Sequence, residues 1–334
     1  MTDPNPDVVV FRQGTEGLST ATYADILKER LPSRRVVHAR TKHQEKELIE
    51  RARVATGITI DESLLSEAND LELFVVASSG VNHLPIQTLT DEGVIVANAA
   101  GIHAPGIAEQ ALGYCLVFSR RLHEGWKRKR NQEWRHYKAQ EFTDSTVTVV
   151  GLGAIGQAFA KRLQGMDVHT LGVRYTPEKG GPTDEVIGFD ERQFHEALAH
   201  TDYLVLSTPL SDTTEKLIGK EELATLPPSA VVVNVCRGGV VDTDALLRSL
   251  QKEDIRGAAM DVTDPEPLPS DHPLWQMDNV LITPHMGGHT PKHWERLAGI
   301  LEENLRKMDN GQFAELRNQV NAPEIPRAAD RIQS

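Results

Sequence analysis

The run Thr146-Val147-Thr148-Val149-Val150, followed by Gly151-Leu152-Gly153-Ala154-Ile155-Gly156, leaves this chain little freedom of fold. Consecutive β-branched residues make a strand buried on both faces. Gly151 permits a tight turn, Gly153 lets the backbone approach a pyrophosphate, and Gly156 lets the next helix pack on the sheet. The start of that helix offers unpaired N–H groups and the positive end of its dipole to phosphates. Ala158, Phe159, Leu163 and Met166 follow at helical spacing, and Gly165 suits the helix end. The motif therefore predicts a doubly wound parallel α/β domain that binds a dinucleotide. It begins almost halfway along a chain of 334 residues, so the first half needs its own account.

That first half alternates strands and helices. Val8–Phe11, Val36-Val37, Leu73–Ala77 and Val94–Ala97 read as strands and Tyr23–Lys28 as helix, which predicts a second parallel α/β sheet. From Pro105, a proline suited to a first helical turn, an amphipathic stretch leads into the dinucleotide domain. Its apolar face holds Ile107, Ala108, Ala111, Leu112, Cys115, Leu116, Ser119 and Leu122. After the fingerprint, apolar runs at 168–173, 203–207, 231–235, 255–260 and 279–282 bring that domain to six candidate strands, ending near Pro284. Trp294, Leu297, Ala298, Ile300, Leu301, Leu305 and Met308 form a last amphipathic helix with Gly311 as its stop, and residues 320–334 read as an extended tail.

Charge and cysteine usage narrow the setting. Acids outnumber Lys and Arg by 48 to 36, a net charge of −12 that disfavours nucleic acid as a partner. Residues 126–138 are a local exception, with six basic and three aromatic residues, and read as a solvated helix end or a subunit contact. Cys115 and Cys236 are too few for a disulfide framework, no run is long enough to span a membrane, and the acidic N-terminus is unlike a signal peptide. The expectation is a soluble cytoplasmic protein with no membrane partner and no metal.

Three polar residues stand directly after apolar strands of the second domain, where open α/β sheets bind ligands. They are Arg237, Glu266 and His285. Together they suit reduction of a 2-oxo acid. Arg237 would hold the substrate carboxylate and polarise the C2 carbonyl, which a rigid guanidinium fork does better than an ammonium. His285 would be the general acid/base, and Glu266 would hydrogen-bond it and favour its imidazolium form.

From about residue 74 to 300 the chain resembles the D-isomer-specific 2-hydroxyacid dehydrogenases. The resemblance rests on the fingerprint, on Asn234-Val235-Cys236-Arg237-Gly238-Gly239-Val240-Val241-Asp242, on Asp261 through Glu266-Pro267-Leu268 with His272-Pro273-Leu274-Trp275, and on Thr283-Pro284-His285. It implies the same roles for Arg237, Glu266 and His285. It also implies that the N–H groups of Ser79, Gly80 and Val81 receive the substrate carboxylate. The cofactor set would be Gly151, Gly153, Ala154, Ile155, Gly156, Thr208, Pro209, Val235, Cys236, Arg237, Asp261, His285 and Gly287, with Asp261 facing the nicotinamide carboxamide. The implied architecture is a Rossmann domain, 105–294, inserted into a flavodoxin-like substrate domain made of 1–104 and 295–334, with the cleft between them. Such proteins are commonly homodimers through the dinucleotide domain, which makes 126–138 the candidate interface. Asn82 and Cys236 depart from the commoner residues without touching the chemistry.

Cofactor choice turns on Arg174. An acid at the end of the second strand binds the ribose 2′-OH of NAD, whereas an arginine meets the 2′-phosphate of NADP. Arg174-Tyr175-Thr176 offers a cation and two hydroxyls, and Glu178 lies late for the acid. The expectation is NADP(H), with NAD(H) accepted. Alternatives are formate or phosphite oxidation, phosphoglycerate dehydrogenation, and a dinucleotide-sensing corepressor; Glu266 beside a catalytic histidine favours acid–base chemistry over formate oxidation. Substrate choice would depend on residues 80–83, 98–107 and Met286-Gly287-Gly288, with His83 and His103 as surface or helix-entry residues. Glyoxylate, hydroxypyruvate, pyruvate and branched 2-oxo acids all fit.

Overall fold

A computed structural model describes residues 5–15 and 17–323. The chain divides into two compact units, one formed by residues up to Ile102 together with those from Thr290 onward, the other by His103–His289.

The first unit is built on five parallel strands, β1 (Val8–Val10), β2 (Val36–His38), β3 (Val54–Gly57), β4 (Leu73–Val76) and β5 (Ile95–Ala97), in the order β2-β1-β3-β4-β5. This is the flavodoxin-like order. Alternation along each strand separates two cores. Val8, Val10, Leu73, Val75 and Ile95 face Tyr23, Leu27 and the last helix, His293–Asp309, whereas Val9, Phe74, Val76 and Val96 face Ile49, Leu71 and Leu89. The last helix belongs to this unit because its buried stripe is mostly apolar: Trp294, Leu297, Ile300, Leu301 and Leu305 are buried, with His293 and Asn304 the polar exceptions, and Trp294 stacks on Tyr23 at 4.7 Å.

Strand β3 was not expected. Ala55, Thr56 and Gly57 dilute its apolar signal, yet it lies at the centre of the sheet; a Cβ on Gly57 would meet the Phe11 side chain at 2.8 Å, so the glycine makes room for a core aromatic. Residues 318–321 run antiparallel along the β5 edge, where Val320 N–H donates to Val96 O (2.9 Å) and Asn321 Oδ1 accepts from Val96 N (2.7 Å). The extended tail thus begins by covering an open sheet edge. The rest of it, from 324 on, and the acidic residues 1–4 lie outside the described residues.

The second unit has seven parallel strands rather than six: β6 (Thr146–Val150), β7 (His169–Val173), β8 (Glu185–Ile187), β9 (Tyr203–Leu206), β10 (Val231–Asn234), β11 (Gly257–Met260) and β12 (Val280–Ile282). Their order is β12-β11-β10-β9-β6-β7-β8, the doubly wound arrangement with its switch between β6 and β9. The strand absent from the sequence reading is β8, a short edge strand that starts on an acid and is only half-buried, so neither length nor hydrophobicity signals it. The long amphipathic stretch is also two helices. Ala104–Arg120 ends where Arg121 takes a left-handed φ of 51°, and Leu122 therefore opens a second helix, Leu122–Arg130, and is 41 % exposed instead of joining the buried face. Among the described residues no helix is long and apolar enough to cross a membrane.

Candidate functional site

The fingerprint glycines divide their work as steric constraints. Gly151 follows β6 at φ 95°, a conformation that L side chains rarely adopt, and its Cβ would meet Thr208 N at 2.8 Å. A Cβ on Gly156 would lie 2.0 Å from Gly151 O, so only glycine lets the helix Ala154–Leu163 start this close to the strand. At Gly153 a Cβ would meet nothing within 4 Å. That open, exposed cap, with Ala154 and Ile155 as the first helical residues, fits a pyrophosphate approaching the helix start. Beside it Ile155, Ser207, Thr208, Pro209, Leu210, Cys236 and Arg237 line a cavity of about 410 Å³.

At the end of β7, Arg174 is half-buried and its Nη1 donates to Gly180 O (2.6 Å), which fixes the guanidinium while leaving it further donors. Tyr175 is exposed; its ring lies 4.6 Å from Phe189 and its hydroxyl pairs with Thr213 Oγ1. Thr176 precedes the short turn Pro177–Lys179 without a side-chain bond to it, and the exposed Glu178 sits on that turn.

Arg237 owes its exposure to Asn234. The Asn234 Oδ1 accepts from Cys236 N (3.1 Å) and its Nδ2 donates to Arg237 O (2.9 Å), closing a turn that buries Cys236 and sends Arg237 outward. Gly238 lets this turn touch the next one, since its Cβ would lie 2.0 Å from Thr263 O. The loop after β11 carries Glu266, and the turn after β12 carries His285. His285 Nδ1 is 2.6 Å from Glu266 Oε1, a hydrogen bond between side chains that are 47 % and 40 % exposed. A carboxylate on Nδ1 leaves Nε2 as the edge open to a ligand. Asp261, Leu268, Trp275 and Thr283 complete a cavity of about 310 Å³ around this pair. Arg237, Glu266 and His285 thus follow three neighbouring strands, β10, β11 and β12.

His285 is not a glycine, yet it has φ 49°. Such strain in an ordered turn marks sites where geometry is over-determined. Asp261, only 3 % exposed, supplies the constraint; its partner Gln110, and Tyr114, which reaches it through Thr283, escaped the sequence reading. The cue was present, because a glutamine and a tyrosine four apart interrupt one face of an otherwise apolar helix.

In the first unit, Ser79-Gly80-Val81 follows β4. Ser78 Oγ donates to Gly80 O (2.8 Å) and Asn98 Nδ2 to Ser79 O (2.7 Å), so the carbonyls are engaged. The N–H groups of residues 79–81 donate to no acceptor among the described residues. His83 holds Ile58 O (2.8 Å) and His103 holds Gly288 O (2.6 Å), as anchors of loops. Among the described residues no cluster of His, Cys, Asp and Glu could hold a metal.

The sequence profile described as D-isomer specific 2-hydroxyacid dehydrogenase, NAD binding domain, matches residues 112–287. The chain belongs to this family. A D-3-phosphoglycerate dehydrogenase of Methanocaldococcus jannaschii is 32% identical over 82% of the chain, which spans only 52% of that relative. A glyoxylate reductase of Thermofilum pendens is 33% identical over 76% of each. Among solved structures, a D-isomer specific 2-hydroxyacid dehydrogenase from Xanthobacter autotrophicus Py2 in complex with NADPH and MES aligns with TM-score 0.74 and 26% identity, covering 95% of this chain and 98% of that one. Two parallel-sheet α/β units and a nicotinamide dinucleotide site are therefore properties of the family to which the chain belongs.

Proposed function

We propose that the protein reduces a small 2-oxo acid to the D-2-hydroxy acid, with NADP(H) preferred over NAD(H). The observation that carries this reading is the 2.6 Å contact of His285 Nδ1 with Glu266, with an exposed arginine, Arg237, after β10, the strand next to the one that precedes Glu266. When bound, the reduced nicotinamide supplies hydride to C2. Arg237 holds the substrate carboxylate and draws electron density from the carbonyl. His285 gives its Nε2 proton to the C2 oxygen, which becomes the hydroxyl, and Glu266 stabilises the imidazolium beforehand and fixes its orientation. In the substrate domain, assigned to the first unit, the free N–H groups of Ser79, Gly80 and Val81 suit a carboxylate. Gly151, Gly153, Ala154, Ile155 and Gly156 receive the pyrophosphate, with Thr208, Pro209, Val235 and Cys236 along the cofactor.

Arg174 is the support for NADP(H), since a guanidinium at the end of the second Rossmann strand pairs with a 2′-phosphate. The relative named glyoxylate reductase, 33% identical, supports a small 2-oxo acid as substrate. Exposed Trp126 (58 %) and Trp134 (100 %), with a cavity of about 680 Å³ lined by residues 120–139, support a homodimer through the dinucleotide domain. Two buried free cysteines fit a reducing, cytoplasmic setting.

Steady-state rates with glyoxylate, hydroxypyruvate, pyruvate and branched 2-oxo acids, each with NADPH and NADH, test the reading. Oxidation of NADPH by at least one acid is expected, with kcat/KM about 10-fold or more above NADH, as one charge-assisted contact provides. No turnover with any acid would overturn the reaction; a higher kcat/KM with NADH would overturn the role of Arg174.

A further inference from the structure

Asp261 follows β11 with its carboxylate almost fully buried, and none of the proton or hydride steps above uses it. Four donors reach it. Oδ1 accepts from Gln110 Nε2 (2.9 Å), Thr283 Oγ1 (2.5 Å) and Met286 N (3.0 Å), and Oδ2 accepts from Gly287 N (2.8 Å). The main-chain oxygen of Asp261 also accepts from His285 N (2.8 Å). One residue therefore pins three consecutive N–H groups, at 285, 286 and 287. A Cβ on Gly287 would lie 2.8 Å from Asp261 Oδ2, so the clamp tolerates no side chain there. Four donors from inside the protein fasten this carboxylate to the turn, a role separate from any contact it makes with the cofactor.

Proton counting then orders the network. The carboxylate only accepts, so the Thr283 hydroxyl proton points to Asp261 and the Tyr114 hydroxyl donates to Thr283 Oγ1. Gln110 Nε2 has two protons; one goes to Asp261, and the other faces Tyr114 Oη (2.7 Å), with Thr283 Oγ1 at 2.9 Å. Burial pushes the Tyr114 phenol up, which keeps it a neutral donor. Gln110 and Tyr114 project from one face of Ala104–Arg120, and so tie the left-handed turn to the longest helix of its unit. We propose that Gln110 is a positioning residue that, through Asp261 and Thr283, holds the His285 turn in its left-handed conformation and so aims His285 Nε2. The inference rests on the proposed role of His285.

Two variants and two readouts test it. Gln110→Ala removes both donors, and a loosened turn should lower kcat with glyoxylate and NADPH about 10–100-fold while KM changes less than about 3-fold. In protein with 13C-labelled histidine, without substrate, the His285 imidazole signal should shift or broaden and those of the other histidines should stay. Gln110→Glu keeps the shape but places a second carboxylate against Asp261, with Tyr114 the other titratable neighbour. Like charges raise the pair's affinity for one shared proton, so activity should persist at low pH and fall as pH rises and that proton leaves. A Gln110→Ala protein with wild-type kcat and an unmoved His285 signal would overturn the proposal. So would a Gln110→Glu pH profile parallel to wild type; this variant decides if the alanine protein does not fold. If the wild type turns over no 2-oxo acid, the histidine signal alone judges positioning, and the proposed function falls separately.

Discussion

Two turns follow parallel strands of one sheet, and they are held by different physics. The turn after β6 is shaped mainly by absent side chains: Gly151 supplies the positive φ and Gly156 the close approach, and the side-chain bonds come from neutral groups, Ser207 Oγ to Gly151 O (2.7 Å) and Val150 O (3.3 Å) and Gln157 Nε2 to Leu152 O (3.0 Å). The turn after β12 instead places a histidine at positive φ and fastens it with a buried carboxylate from the neighbouring strand. Steric exclusion is local and is written in consecutive residues. An electrostatic clamp is assembled from positions as far apart as Gln110 and His285, so its parts look ordinary until the chain folds.

If the second turn is chemical and the first architectural, substitutions should separate activity from stability. The largest effect is expected at His285. His285→Ala removes the proton donor and should lower kcat about 10²–10⁴-fold with little change in KM. Its melting temperature should stay near wild type, because the lost pair is half exposed. A fall of less than about tenfold would end the acid/base assignment. Gly156→Ala should act in reverse. Its Cβ would stand 2.0 Å from Gly151 O, so the helix start must move, at a cost of about 1–3 kcal/mol. Thermal unfolding should show the loss, and NADPH should bind more weakly while the residual kcat at saturation is kept. An alanine variant that melts with the wild type and binds NADPH equally would erase the contrast between the turns.

Legibility followed the same division. The fingerprint, the strand ends bearing Arg237, Glu266 and His285, and the apolar stripe of the last helix could be read because each is a local pattern whose period or spacing has one meaning. Strand β3 was lost because Ala55 and Gly57 carry little β signal; its place is set by β1 and β4 pairing on either side. Strand β8 was lost because an edge strand needs hydrophobicity on one face only, and Glu185 masks even that. Gln110 and Tyr114, four apart, mark a polar spot on the helix, but their partner, a carboxylate after β11, lies too far along the chain to be read from it. Leu122 misled because periodicity continues through Arg121 although the backbone does not.

The smallest effect tests how dry the ground between the two turns is. Cys236 follows β10, beside Ile155 of the fingerprint helix and next to Arg237. Burial pushes its thiol up to about 11, against 9.0 for an ordinary thiol. Below the lower value both folded and unfolded chains keep the proton, and the thiol does not bias folding. Between the two values the unfolded chain releases its proton while the folded one retains it, so unfolding is favoured increasingly as pH rises. The melting temperature of the wild type should therefore fall more steeply from pH 8.5 to 10.5 than that of Cys236→Ala, by a few degrees, as roughly 1–2 kcal/mol implies for a domain of this size. The comparison cancels the other groups that titrate there, including the buried Cys115 thiol, which both proteins share. Equal slopes would mean that water reaches the thiol, and that the turn carrying Arg237 opens as readily as the surface around it.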